Sequence, residues 1–219
     1  MTRISPLRGR KSFQRKPGTR PPRSITLVVC EGETERAYFE AARLHHGLRP
    51  AEVFVAGNTH GSAPISVVEC AEQKANEAGG YDYIFCVFDR DSHESFARAR
   101  EKIKALAGRK KKPLPIQEIV SIPCFEVWVL LHFERSDAAY ANCAAVVERI
   151  RDQHLPDYAK AESRTANQLM PRIDAAVSSA TWLEHRAEIN GWNPYTSAHR
   201  LMLHLKQVAG EAATPEQDF

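Results

Sequence analysis

An α/β fold, with a mostly parallel sheet flanked by helices and a helical C-terminal region, follows from three features of the chain. Short, continuous apolar runs of the kind that form strands buried on both faces occur at 25–30 and 83–88, and a further strand is expected at 116–121. Stretches with helical periodicity separate them, the alternation that gives parallel strands joined by right-handed crossovers. Beyond residue 123 the periodicity is helical throughout.

In order, Ile25–Cys30 is the first strand, and Glu33 to His46 is an amphipathic helix with Ala37, Tyr38, Ala41, Ala42 and Leu44 on its inner side, closed by Gly47. Glu52–Ala56 alternates as a short strand. Pro64 starts a helix that runs to Ala78, where Gly79-Gly80 ends it before the 83–88 strand. Ser92 is placed to cap a helix from about His93 to Leu106, and the basic loop Arg109-Lys110-Lys111-Lys112-Pro113 leads into the strand at 116–121. Helices follow at about 124–133, 138–152, 165–189 and 196–208, with breaks at Pro156, Pro171 and Pro194 and with Pro171 in or ending a first helical turn. The expected organisation is a basic, disordered tail at 1–23, an α/β domain at 24–135 and a helical region at 136–219.

Two strand ends carry acids. The run Tyr83-Ile84-Phe85-Cys86-Val87-Phe88 ends in Asp89-Arg90-Asp91, and Leu27-Val28-Val29-Cys30 runs into Glu31-Gly32-Glu33-Thr34-Glu35. Open α/β sheets place their chemistry just past the carboxyl ends of their strands. Carboxylates gathered there repel one another unless a hard cation sits among them, and Mg²⁺ prefers one or two such ligands together with water and substrate phosphate. Glu31, Asp89 and Asp91 are therefore the candidate ligands of a divalent ion, Mg²⁺ or Mn²⁺. Each acid alone also reads as a solvated turn; their co-occurrence after apolar strands, and Gly32 permitting a tight turn beside Glu31, favour the site.

Charge is unevenly divided. Residues 1–24 hold eight basic side chains and no acid, which leaves 22 basic against 27 acidic residues for the remainder. Proline and glycine interleave with the charge, so the tail is expected to be disordered. Arg8, Arg10, Lys11, Arg15, Lys16 and Arg20 are the candidate contacts to nucleic-acid phosphates; the alternative is a solubilising leader. The five cysteines are odd in number and lack CxxC spacing, so reduced thiols and a cytoplasmic setting are expected. No apolar run is long enough to span a bilayer, and the N-terminus lacks the apolar core of a signal peptide, so no membrane partner is expected.

The segments Cys30-Glu31-Gly32-Glu33-Thr34-Glu35-Arg36-Ala37-Tyr38-Phe39, Phe88-Asp89-Arg90-Asp91, Ile122-Pro123-Cys124-Phe125-Glu126-Val127-Trp128-Val129-Leu130-Leu131-His132-Phe133 and Asn193-Pro194-Tyr195-Thr196 resemble, in this order, the RloB-like family. The likeness runs from about residue 25 to 205. It implies a Toprim-like fold, an association with restriction and phage-defence loci, and a Mg²⁺-dependent nuclease site in which Glu31, Asp89 and Asp91 bind metal. Relatives of the overcoming-lysogenization-defect type imply two further ligands, for which Glu35 and Glu126 are the matching residues. Glu126 equally reads as a first-turn helix acid. The Tyr158-Ala159-Lys160 segment also resembles the family's pattern, which implies Lys160 as the phosphate contact or transition-state cation, against the alternative of a solvated lysine. Family context also implies a partner ATPase in some loci, and the chain has no Gly-x-x-x-x-Gly-Lys-Ser/Thr loop of its own.

The sequence thus favours phosphodiester hydrolysis of DNA or RNA, structured tRNA included. Two other readings stay open. Asp89-Arg90-Asp91-Ser92 after an apolar strand resembles the nucleophile motif of haloacid-dehalogenase-type phosphatases, although the later lysine and acidic pair have no clear place. A non-catalytic nucleic-acid-binding subunit would keep the fold and lose the chemistry. His132 reads as a core histidine, and Trp128 and Trp182 as core side chains rather than base-stacking platforms.

Overall fold

The computed structural model describes residues 24–59, 61, 63–90, 94–187 and 192–213. The basic tail, Asp91, Ser92 and His93 lie outside the described residues. Five strands form one sheet, β1 (Thr26–Cys30), β2 (Val53–Gly57), β3 (Tyr83–Asp89), β4 (Ile116–Ile122) and β5 (Tyr195–Thr196), in the spatial order β2-β1-β3-β4-β5. The first four are mutually parallel and β5 pairs antiparallel with β4.

The crossovers are helical. α1 (Glu33–His45) follows β1, α2 (Pro64–Ala78) follows β2 and α3 (Ser95–Ala107) follows β3. Pro64 occupies the first turn of α2 and Gly79, at φ 64°, stops it, so both punctuation marks read in the sequence act as expected. After β4 come α4 (Glu126–Leu130), α5 (Cys143–Gln153), α6 (Ser163–Leu169), a 3₁₀ turn at Met170–Arg172, α7 (Ile173–Ala187) and, beyond β5, α8 (Ala198–Ala213).

Side-chain alternation divides the core between the two faces of the sheet. Val28, Phe85 and Val87 face α1, α4 and the C-terminal helices, where Tyr38, Phe39, Phe125 and Trp128 form an aromatic cluster with edge-on contacts at 5.3–6.0 Å. Leu27, Val29, Ile84, Cys86 and Phe88 face α2 and α3. Each such fully buried apolar side chain contributes roughly 1.5–3 kcal/mol of transfer free energy, and burial on both faces is why these strands read as unbroken apolar runs.

Two features depart from the sequence reading. The region after residue 136 is not wholly helical, because Tyr195–Thr196 adds an edge strand that pairs with β4, the Thr196 hydroxyl meeting that of Ser121 at 3.0 Å. The helix expected over 165–189 is two helices, with Pro171 in the 3₁₀ turn between them, since proline cannot donate the amide that a continuous helix would need there. Residues from both expected domains share one core, from Val28 to Val208.

Candidate functional site

The C-terminal ends of β1 and β3 lie side by side, Cys30 pairing with Val87. The chain leaving β1 is held in place as the Glu31 N–H donates to the Val87 carbonyl at 2.9 Å, and a Glu31 carboxylate oxygen accepts from the Asp89 N–H at 3.1 Å. Asp89, the last residue of β3, falls on the α1 side of the sheet, in step with Phe85 and Val87.

Glu35 arrives from α1. Gly32 is the N-cap of this helix, and Glu35, three residues on, is 5% exposed. A Cβ built on Gly32 would lie 2.7 Å from a Glu35 carboxylate oxygen, so the glycine admits that carboxylate beside the helix terminus. Gly32→Ala is therefore expected to leave the fold in place, since φ here is −117° and suits any residue, while displacing the Glu35 carboxylate. Isothermal titration with Mn²⁺ checks this: affinity should drop in the variant with an unchanged melting curve, and unchanged affinity would contradict the role given to Glu35.

The fourth acid comes from the start of α4. Glu126 is 2% exposed and is bracketed by Lys160, whose ammonium lies 2.8 Å from Oε1, and by Tyr158, whose hydroxyl donates to the same oxygen at 3.3 Å. The Ala161 N–H donates to the Thr34 hydroxyl at 3.1 Å, which docks the loop bearing Lys160 on the first turn of α1. Glu31, Glu35, Asp89, Glu126 and Lys160 thus line a single pocket of about 230 Å³. Of the acids predicted from sequence, Asp91 alone lies outside the described residues.

The electrostatics of this pocket are those of crowded acids. Desolvation raises the pKa of Asp89 well above the ordinary value, and the neighbouring Glu35, Glu126 and Glu31 raise it further, against a backbone hydrogen bond at Phe125. Burial, reinforced by Glu126, pushes Glu35 up to about 7, with its backbone hydrogen bond and Lys160 opposing. Such shifts mark a place where a cation would relieve an existing strain among charges. The acids nevertheless stand apart: among the described residues, the trio of metal-type donors whose atoms all lie within 4.8 Å is Cys124, Glu126 and Cys143. A spread set of carboxylates suits an ion that keeps several waters and takes few protein oxygens, as Mg²⁺ does. It suits a zinc-type centre poorly.

The cysteine trio is not such a centre, because Cys124 and Cys143 are joined in a disulfide, with Cα atoms 5.6 Å apart. This corrects the expectation of reduced thiols. The turn after β4 and the start of α5, 19 residues apart in sequence, meet beneath Glu126. With the bond formed neither sulfur carries a proton, so the 3.1 Å approach of Glu126 Oε2 to Cys143 Sγ is a contact only, whereas Lys160 donates to that sulfur at 3.2 Å. Cys30, Cys70 and Cys86 are free and buried. Thiol titration of the unfolded, unreduced protein should count these three and rise to five after reduction; five from the outset would remove the disulfide.

His132 has the structural role expected of it. It donates from Nδ1 to the Trp128 carbonyl at 2.9 Å and accepts from the Tyr38 hydroxyl at 2.9 Å, and burial lowers its pKa to about 4. Tyr158 is a site residue that the sequence reading named only as part of a segment; its position against Glu126 has no signal in spacing.

The sequence profile of the RloB-like protein family matches residues 26–205, a span that takes in every described pocket residue. The chain belongs to the RloB-like family. No curated protein and no solved structure matches it. Among the described residues no helix is long and apolar enough to cross a membrane.

Proposed function

We propose that this RloB-like chain is a divalent-metal-dependent nuclease that hydrolyses phosphodiester bonds of DNA or RNA. The observation that carries the reading is the convergence of Glu31, Glu35, Asp89 and Glu126, from the ends of β1 and β3 and the first turns of α1 and α4, on one pocket with Lys160 at its wall. Nothing in the packing requires four acids there, and their mutual repulsion is a cost that a cation offsets.

Glu31 and Asp89 would hold Mg²⁺ or Mn²⁺, joined by Asp91 and Glu35. A bound ion of this kind supplies Lewis-acid polarisation of a phosphoryl oxygen and a water of lowered pKa. Glu35, whose carboxyl is raised to about 7, would have to be ionised to hold the ion, so metal affinity is expected to rise with pH through neutrality. Glu126 orients Lys160 through the 2.8 Å ion pair, and the half-exposed ammonium faces the pocket where phosphate charge would develop. Tyr158 fixes Glu126 from the buried side.

A covalent aspartyl-phosphate route through Asp89 has less support. It needs, besides the metal, a later lysine and acidic pair that have no clear place in this sequence. The Toprim affinity, a role in phage defence and gating by a partner ATPase are parts of the same proposal. They rest on family membership.

The direct test is cleavage of labelled single-stranded and duplex DNA and RNA, tRNA among them, with Mg²⁺ or Mn²⁺ against chelator. Metal-dependent cleavage by the wild type supports the assignment. Hydrolysis of small phosphomonoesters with a beryllofluoride adduct on Asp89, and no phosphodiester cleavage, would replace it with the phosphatase reading.

A further inference from the structure

Consecutive residues at a strand end face opposite sides of a sheet, so Asp89 and Arg90 open onto different pockets. Asp89 enters the acidic site. Arg90 lines a second pocket of about 340 Å³, walled by Phe96 and Arg100 of α3, by Trp192 and Tyr195 at β5, and by Arg200 of α8.

The chemistry of this pocket is unlike that of the first. Trp192 is a large aromatic side chain left 39% exposed, and its backbone sits at φ 65°, a conformation uncommon outside glycine. Its ring meets Tyr195 edge-on at 5.1 Å, which braces the indole without covering it. The guanidinium groups differ in their engagement. Arg100 is held by both oxygens of Glu118 at 2.9 Å, and Arg200 by Glu184 at 2.6 Å. Arg90 stands over the Phe96 ring at 5.8 Å and has no carboxylate partner among the described residues.

An exposed indole beside a guanidinium with no carboxylate partner among the described residues recognises a flat π-system that carries negative charge, which is the chemistry of a nucleotide. We propose that this pocket takes an unpaired nucleobase of a single-stranded nucleic acid, stacked on Trp192, with the adjoining phosphate on Arg90. The position of the pocket chooses a strand over a free nucleotide. Asp89 and Arg90 are consecutive at the end of β3, so both pockets open at one strand tip, and a strand crossing it would present one phosphodiester to the acidic pocket and a nearby base to Trp192. This inference deepens the nuclease reading and rests on it for the identity of the strand, while binding itself requires no metal.

The test is the quenching of an oligonucleotide containing 2-aminopurine by the full chain in chelator, where no cleavage occurs. Trp192→Ala should weaken binding about tenfold, within the range for loss of one base-stacking platform. Trp192→Phe should recover most of it, which a structural defect would not. Arg90→Ala should weaken binding and reduce the slope of log affinity against log salt by about one. Wild-type affinity and quenching in both Trp192→Ala and Arg90→Ala would overturn the proposal, as would tighter binding of a free nucleoside monophosphate than of the oligonucleotide. The two readings fail separately. Trp192-dependent binding without metal-dependent cleavage would remove the nuclease and keep the pocket, and cleavage with both variants binding as wild type would do the reverse.

Discussion

Asp89→Ala should lose metal-dependent cleavage by about a thousandfold or more while melting no lower than the wild type. The size follows from the several kcal/mol of transition-state charge stabilisation that a bound divalent ion provides, at about 1.4 kcal/mol per factor of ten. The direction of the stability change follows from the surroundings of Asp89. Its carboxyl is desolvated and crowded by Glu35, Glu126 and Glu31, so deleting it removes repulsion that the metal-free protein otherwise bears. Glu31→Ala should behave alike in activity, with the added loss of the hydrogen bond that its carboxylate accepts from the Asp89 N–H. Activity measured beside a thermal melt separates this from unfolding. A folded Asp89→Ala protein that cleaves at the wild-type rate would end the assignment of Asp89.

The second large effect is a pH-dependent stability difference between the wild type and Glu35→Gln, measured without metal. The carboxyl of Glu35 is raised from 4.5 to about 7 in the folded chain. Below pH 4.5 both folded and unfolded chains carry the proton. As pH rises the unfolded chain ionises first, and folding loses about 1.4 kcal/mol per pH unit until pH passes about 7. Asp89 acts in the same sense. His132 acts in the opposite one: with its folded pKa lowered to about 4, its contribution is present above pH 6.5 and is lost as pH falls toward 4. The wild-type curve alone mixes these, and the variant isolates Glu35. Glu35→Gln should melt with the wild type near pH 4.5 and about 5–10 °C above it at pH 8, the equivalent of roughly 2–3 kcal/mol in a chain of this size. Saturating Mn²⁺ should stabilise the wild type at pH 8 and narrow that gap. A gap that is the same at both pH values would mean that Glu35 has an ordinary carboxyl.

Much of this was legible in the sequence where local chemistry and tertiary structure agree. Tyr83–Phe88 reads as a strand because both of its faces are buried, and that burial is what places Asp89 at a tip. The helix Pro64–Ala78 has its proline and glycine where the backbone demands them. Glu31 and Glu35 stand four apart, but only Glu35 is helical, and Glu31 reaches the same pocket from the end of β1 because Gly32 turns the chain between them.

What was not legible depends on contacts between distant segments. Cys124 and Cys143 carry no mark of their pairing, since the turn and helix that bring them together are set by packing around Trp128. β5 is two residues long, too short for any periodicity, and exists because β4 offers an edge. Helix α4 is apolar on all sides because it is buried on all sides, so its limits at Glu126 and Leu130 could not be drawn from amphipathicity. Trp192 was passed over because a lone tryptophan near a proline turn has no pattern; its exposure and positive φ are visible only in three dimensions.

The central claim is that the acids at the ends of β1 and β3 hold a divalent ion. A crystal of the full chain soaked in Mn²⁺ and read by anomalous scattering tests it most directly. The account predicts anomalous density within coordination distance of Glu31 and Asp89 in the wild type, lost in Asp89→Ala. Full Mn²⁺ density elsewhere on the molecule with none among Glu31, Glu35 and Asp89 would contradict it.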